Sequence, residues 1–388
     1  MIGNPQLITE SAVACRGPDD VGWFRHAFDA TRHEDDPRCL YRLADLCRRR
    51  GYLEVWRKCI ETAFKLNHVT EKQIICRGRA KLTLGDWSGW SDLNVESRHF
   101  LPGIRRSTYA RLLRFTRLAW NGASSLRDRT LLVIHEAGYG DTIQMLRFIP
   151  QLANDAARIV LLVQPELVDL AVHNFGDSAL IGTRDPTAVP KCDYYVWTMS
   201  LPAFADSLPR FVALTAPNPR RLTYGSTPKV RVGLCWAGNP SLERDARRSI
   251  PLAEFKHLFG KPDVEWYSLY VGCREYEARS YPLIVQTDPR LHTFADTANL
   301  ISGLDCVVTC DTAVGHLAGS LGIPTFLLVD YASEYRWGLE DTTSWYPSVR
   351  IVRQRTPGDW VGAIDILEAE LTRFAASVVA GHRSSRAG

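Results

Sequence analysis

Three glycine-bearing turns in this 388-residue chain combine ionisable side chains with positions that carry little or no side chain. One of them, Asp311-Thr-Ala-Val-Gly-His316, follows the apolar run Val307-Val-Thr309 and opens a helical stretch. A strand running into a helix leaves the first N–H groups of that helix without intrahelical acceptors. Such an end attracts phosphate and other anions. With Asp311 as the N-cap, Thr312 and His316 stand four apart on one face, so a hydroxyl and an imidazole would flank the same anion. The same residues also suit an ordinary capped turn between strand and helix.

A second turn, His135-Glu-Ala-Gly-Tyr-Gly-Asp-Thr-Ile-Gln144, comes directly after the apolar run Leu131–Ile134. Gly138 and Gly140 permit close backbone approach, and Asp141 stands where the next helix begins. Its carboxylate either caps that helix or faces a cleft as a general base. The third turn, Val232-Gly-Leu-Cys-Trp-Ala-Gly-Asn-Pro240, precedes Arg244, Asp245, Arg247 and Arg248. Guanidinium groups gathered before a helix match phosphate oxygens in pairs and would clamp a diphosphate, although a solvated basic loop has the same composition. Trp236 reads as a packed aromatic rather than a stacking platform. Asp296-Thr-Ala-Asn299 also starts a helix, and there capping is the better reading.

The elements that must position these turns alternate as in a parallel α/β protein. Strands are expected at 130–134, 158–163, 194–198, 229–236, 265–269, 283–286, around 307–309, at 325–329 and at 350–353, with helices at 165–173, 252–258, 293–303 and 357–376. Thr215–Thr227 is rich in turn formers and reads as a linker. Trp23 to Arg98 is helical throughout, and Gly51-Tyr-Leu with Trp56 recurs 34 residues later as Gly85-Asp-Trp with Trp90. That spacing is the tetratricopeptide period, and two units are too few to bury a core alone. The resulting organisation is a loose leader over 1–20, a helical tetratricopeptide-like region over 21–100, an α/β domain over 101–222, a second over 228–356, a C-terminal helix over 357–378 and a disordered tail over 379–388. A basic helix at 104–118 leads into the first α/β domain.

Composition narrows the classes. Hydrophobic content of 45% and charged content of 23% are ordinary for a globular chain, and a formal charge of +4 does not argue for nucleic acid. The 10 cysteines include no Cys-x-x-Cys pair, which removes the common zinc and redox signatures and leaves reduced core thiols. No basic leader precedes an apolar run and no stretch approaches a membrane span, so a cytoplasmic protein is expected, with room for a peripheral contact at the inner membrane. No Asp-x-Asp occurs, which disfavours a carboxylate-held divalent ion as the partner of a nucleotide diphosphate.

In order along the chain, Leu118-Ala-Trp-Asn-Gly122, Glu136–Gln144, Met199-Ser-Leu-Pro202, Trp236–Pro240, Arg248-Ser-Ile-Pro251, Asp305–Pro324 and Trp345-Tyr-Pro347 resemble the heptosyltransferase-like glycosyltransferases of the GT-B fold. The bacterial branch in which tetratricopeptide repeats precede the transferase is the most similar, and Leu84-Gly-Asp-Trp-Ser-Gly-Trp90 looks like its last repeat. The resemblance implies two Rossmann-like domains facing a cleft, an acceptor approaching the first and a nucleotide-sugar donor held by the second. It implies Asp141 as general base, with Arg248, Asp311, Thr312, Ala313 and His316 on the donor diphosphate; Asn239 and Arg247 of the third turn are further donor-binding candidates from the turn itself. Neither a metal nor a resident cofactor is implied. Tyr139, Gly315 and the Gln-less Ser268-Leu-Tyr-Val-Gly-Cys273 depart from the family pattern.

The expected activity is an inverting, metal-independent transfer of a sugar from a nucleotide-diphosphate donor, ADP-heptose by family analogy, to a protein or glycan acceptor recruited by the helical layer. A sugar-nucleotide epimerase or hydrolase on a similar frame is one competing class. A non-catalytic nucleotide-sugar-binding or scaffold protein built from a retired transferase is another.

Overall fold

The computed structural model describes residues 27–29, 40, 43–44, 46–48, 52–65, 71–94, 118–176, 189–220, 229–242, 244–287 and 291–386. The expected leader over 1–20, most of the basic helix at 104–118 and residues 221–227 of the linker lie outside these. The chain divides into two units, residues 1–99 together with 331–339, and the remainder. Residues 331–339 therefore group with the helical unit and not with the second α/β domain, within which the sequence pattern placed their boundaries.

In the helical unit, α1 (Leu53–Lys65) and α2 (Glu71–Thr83) pack apolar faces built from Val55, Trp56, Cys59, Ile60, Ala63 and Ala80. Gly78 and Gly89 let two backbones meet, because a Cβ on Gly78 would lie 2.7 Å from the Gly89 carbonyl oxygen. Trp90 is buried and meets the edge of Tyr335 at 5.7 Å. Asp92 closes the unit by pairing with Arg77 and with Lys81, the latter at 3.3 Å.

The larger unit holds two all-parallel sheets. The first is ordered β1-β4-β2-β3, from Leu118–Ala119 (β1), Thr130–Ile134 (β2), Arg158–Leu162 (β3) and Tyr194–Trp197 (β4). Helices α3 (Tyr139–Met145), α4 (Ile149–Asp155) and α5 (Val168–Phe175) connect them. The second is ordered β10-β9-β8-β5-β6-β7, from Val230–Cys235 (β5), Val264–Ser268 (β6), Ile284–Val285 (β7), Cys306–Cys310 (β8), Thr325–Val329 (β9) and Val349–Arg353 (β10). Its helices are α6 (Asp245–Arg248), α7 (Phe294–Ile301), α8 (Ala313–Ser320) and α9 (Trp360–Arg386). Every residue of β5, β8 and β9 is buried, as expected of central parallel strands covered on both faces.

In chain order the second sheet runs outward from β5 through β6 to β7, then returns to β8 on the other side of β5. That reversal is the doubly wound Rossmann order, and ligands in such sheets sit beyond the carboxyl ends of the strands at the reversal point. Register fixes the place: Cys235 of β5 lies opposite Thr309 of β8.

Two elements differ from the sequence expectation. Leu252–Leu258 is a 3-10 segment and not an α-helix, entered through Pro251. The last helix runs to Arg386, through residues expected to form a disordered tail. Its first half carries the packing, with Trp360, Ala363, Ile364, Leu367, Leu371 and Ala375 forming a buried stripe at helical spacing. Beyond that stripe the helix continues through Val378, Val379 and Ala380.

Helix α7 is sealed by its own side chains. Thr293 Oγ1 accepts from the Asp296 amide at 3.2 Å, while the Asp296 carboxylate accepts from the Thr293 amide at 2.9 Å. Removing this reciprocal pair with Thr293→Ala is expected to cost about 1 kcal/mol of stability, measured by urea unfolding.

Candidate functional site

The two turns at the reversal point of the second sheet are joined by one arginine. Arg248, at the end of α6, donates from Nε to Asp245 Oδ1 at 3.1 Å and from Nη1 to the Asp311 carbonyl at 2.9 Å. The other oxygen of Asp245 accepts from Ser249 Oγ, which itself accepts from the Gly238 amide, both at 2.9 Å. Gly238 is required there: a Cβ would lie 2.6 Å from Asp245 Oδ1 and closer still to Arg248 Nη2. The guanidinium is thus fixed over the start of α8.

Helix α8 begins one residue later than expected. Its N-cap is Thr312, in extended backbone, and Asp311 precedes the cap. The Thr312 hydroxyl does not cap the helix either. It lies beneath, 3.1 Å from Thr309 Oγ1 and 3.7 Å from Cys235 Sγ. Strand-end packing thus gives this hydroxyl partners in the floor, where the sequence reading sets it beside His316 around one anion. His316 is buried as well, with Nδ1 2.9 Å from the Tyr346 hydroxyl. In contrast to α7, the first turn of α8 receives no hydrogen bond from its N-cap side chain.

The first sheet brings its own glycine turn against this helix. A Cβ on Gly140 would lie 2.7 Å from His316 Cδ2 and 3.4 Å from Ala313 Cα. Asp141, the next residue, stands at the third position of α3, and its carboxylate accepts from the Gly138 amide at 3.0 Å. It therefore performs the capping role while lying one residue from the contact with α8. The turn is braced by Glu136, which accepts from the Met199 amide at 2.8 Å, and by Gln164, which donates to the Ala137 carbonyl at 3.0 Å. Tyr139 meets the ring of Phe294 at 5.0 Å.

Of the residues singled out in sequence, Gly138, Gly140, Asp141, Arg248, Asp311, Thr312, Ala313 and His316 converge here. Two do not. Asn239 is exposed and spends its side-chain oxygen on the Ser241 amide at 3.0 Å, and Arg247 is exposed too. Trp236 is fully buried against Tyr270, a packed aromatic as expected. Tyr346 and Ser249 carry no role in the sequence reading, although they lie within the motifs Trp345-Tyr-Pro347 and Arg248-Ser-Ile-Pro251.

Burial pushes the Cys235 and Cys310 thiols beneath the turn upward. Eight cysteines are free among the described residues, six of them buried. One group spaced for a metal occurs among the described residues, His257 with Asp365 and Glu368, but Lys261 already bonds Glu368 at 2.8 Å. Asp245, the carboxylate that pairs with the arginine, is committed to Arg248 and Ser249.

No family model matches the chain. A curated relative, Protein FlbA of Caulobacter vibrioides, is 25% identical over 318 residues, covering 74% of this chain and 51% of that protein. The chain thus spans about half the length of that relative. Among solved structures it is similar to a glycosyl transferase family 9 protein from Veillonella parvula, at 12% identity and TM-score 0.45 over 67% of this chain and 100% of the other. It is also similar to the E. coli heptosyltransferase WaaC with ADP-2-deoxy-2-fluoro heptose, at 11% and 0.41 over 62% and 99%. The iron-containing dodecameric glycosyltransferase TibC from enterotoxigenic E. coli follows at 14% and 0.40 over 62% and 67%. These overlaps are too loose to assign chemistry, which rests on the residues above.

Gly140→Val should force α3 away from α8, since the ring it meets is itself held by Tyr346; a loss of about 1–3 kcal/mol is expected in chemical denaturation. A second outcome concerns pH. Burial lowers His135 from 6.5 to about 4, opposed by Glu166. The unfolded chain therefore binds this proton in the window where the folded chain does not, and stability should fall as pH drops from about 6.5 to about 4. His135→Gln should flatten that slope, by at most about 3 kcal/mol over the window, in melts recorded across pH.

Proposed function

We propose that the chain is a glycosyltransferase that moves a sugar from a nucleotide-diphosphate donor with inversion and without a metal ion. The observation that carries this reading is the junction of Arg248 with the start of α8, whose N-cap side chain makes no capping bond, at the reversal point of the second sheet. A diphosphate placed there would meet a fixed guanidinium and the amides of a helix N-terminus. Both are donors preorganised toward an anion that gains charge as the sugar departs. The donor sugar would then lie toward α3, where the Gly140 contact holds Asp141 next to α8.

In this mechanism Asp141 accepts the proton of the acceptor hydroxyl as its oxygen attacks the anomeric carbon from the face opposite the diphosphate. The glycosidic bond to the leaving phosphate breaks, and its electron pair stays on the diphosphate. Arg248 and the first turn of α8 stabilise that charge, which is the service a divalent cation would otherwise give. Before attack, the Asp141 carboxylate accepts from the Gly138 amide at 3.0 Å, which holds it at the start of α3. Asp311 and Ala313 contribute backbone groups to the anion side, and His316 holds the helix against Gly140.

By analogy with the family that the sequence motifs resemble, ADP-heptose is the first donor to try. The helical unit, proposed as tetratricopeptide-like, would recruit a protein or glycan acceptor, and the whole would work in the cytoplasm.

Purified protein with ADP-heptose and related nucleotide sugars tests this. Asp141→Asn should lower acceptor-dependent turnover by roughly 100-fold or more while nucleotide-diphosphate affinity stays within a few-fold. Arg248→Ala should weaken that affinity by roughly tenfold or more. Because Arg248 also ties Asp245 to the Asp311 carbonyl, a melting curve accompanies the titration. Undiminished turnover in Asp141→Asn removes the base, and tight nucleotide binding without turnover in the parent chain returns the scaffold reading.

A further inference from the structure

Away from the strand ends, an apolar cavity of about 330 Å³ lies between α4, α5 and the segment 211–214, with Tyr346 in its wall. Volumes of this order are typical of small-molecule sites. Ile143, Ile149, Phe175, Phe211 and Leu214 supply apolar surface, Arg147 and Arg158 supply charge, and no carboxylate lines it. A second cavity of about 460 Å³ adjoins it and shares Arg147, Pro150 and Val212. That chamber is mixed: Gln151, Asn154, Ser207 and Arg210 bring polar groups beside Leu208 and Pro209, with Asp206 as its one acidic residue.

Arg147 stands at the junction. Its Nε donates to the Pro209 carbonyl at 2.8 Å and its Nη1 to the carbonyls of Ser344, at 3.3 Å, and Trp345. No carboxylate pairs with it among the described residues. A partly buried cation satisfied by neutral carbonyl oxygens has hydrogen bonds but no counter-charge, and desolvation makes that costly. Burial accordingly pulls the Arg147 guanidinium below its ordinary value.

We infer that these two chambers form a binding site for a single-chain amphiphile with an anionic headgroup. The chain fills the apolar chamber, and the headgroup lies in the mixed one against Arg147, with Arg210 beyond it. Carboxylate and phosphate headgroups share this chemistry. The site involves neither Asp141 nor Arg248, so it stands or falls independently of the transferase reading.

Calorimetric titration of the full chain with decanoate, decyl phosphate and decanol, each below its micelle-forming concentration, tests the inference. Saturable binding of one or both anions, with decanol weaker by roughly tenfold or more, is expected. The tighter of the two anions identifies the headgroup class. Ala156→Phe places a ring into the apolar chamber from a residue in extended backbone at the end of α4 and should abolish binding with little change in melting temperature. Arg147→Gln should erase the preference for anions over decanol; because Arg147 also ties three segments together, Arg210→Gln provides a second reading in a folded chain, with a few-fold loss for both anions. Absence of saturable binding by either anion, equal binding of decanol, or undiminished binding in Ala156→Phe overturns the site.

Discussion

The arrangement of the larger unit depends on one close approach, the contact of Gly140 with His316 and Ala313. A side chain of any size at position 140 would hold α3 and α8 apart, since even a Cβ would come within 2.7 Å of the His316 ring. The ring cannot simply turn aside. Its Nδ1 is engaged by the Tyr346 hydroxyl, and Tyr346 is seated on α8 at Gly319, where a Cβ would lie 2.6 Å from the tyrosine ring. Two glycines, one histidine and one tyrosine thus set the spacing at which the carboxyl end of β2 faces that of β8. Interiors packed to this density transmit a displacement and do not absorb it.

On the other side of α8 the constraint is electrostatic. Arg248 is a charge held among fixed dipoles: Asp245 compensates it, Ser249 orients Asp245, and the Gly238 amide orients Ser249. The chain of hydrogen bonds runs from the end of β5 to the end of β8, so the two turns keep their register through side chains as well as through the sheet. Such a network limits the rotamers open to Arg248 and preorganises its remaining donor capacity. A single flexible lysine at position 248 would carry the same charge without the planar fork that reaches both Asp245 and the Asp311 carbonyl.

What can be read in the sequence is what depends on near neighbours along the chain. Thr130–Ile134 and Thr325–Val329 are strands at the bounds the apolar runs indicate, because central parallel strands are buried on both faces and need no alternation to recognise. The capping pair of Thr293 and Asp296 is local and legible in kind. The N-cap of α8 lies one residue from its expected place because Asp311 and Thr312 are both good caps, and the choice is made by a hydroxyl seeking Thr309 and Cys235 below. Contacts distant in sequence leave no local trace. Arg248 reaches a carbonyl 63 residues away, and Arg147 reaches one 198 residues away. Neither partner is a side chain, so no pairing of residue types announces them. Asn239 and Arg247 fit the pattern of a basic clamp by type alone, and the turn geometry leaves both exposed.

The floor beneath the start of α8 differs from its counterpart at α7 in the charge that the chain supplies to the helix end. Under α7 the cap is made by Thr293 and Asp296, so its first amides face an oxygen and a full negative charge supplied by the chain. Under α8 the groups are Thr309, Thr312, Cys235 and Cys310; none is a carboxylate or a base, and burial pushes both thiols upward, away from the thiolate. The Thr312 hydroxyl is turned down into this neutral layer, which satisfies it without spending a helix amide. A buried, uncharged floor also lowers the local dielectric response, which strengthens the field of the amides and of Arg248 on the open side. A thiolate or carboxylate in that layer would cancel the field it now sharpens, so the requirement on these four positions is neutrality as much as fit.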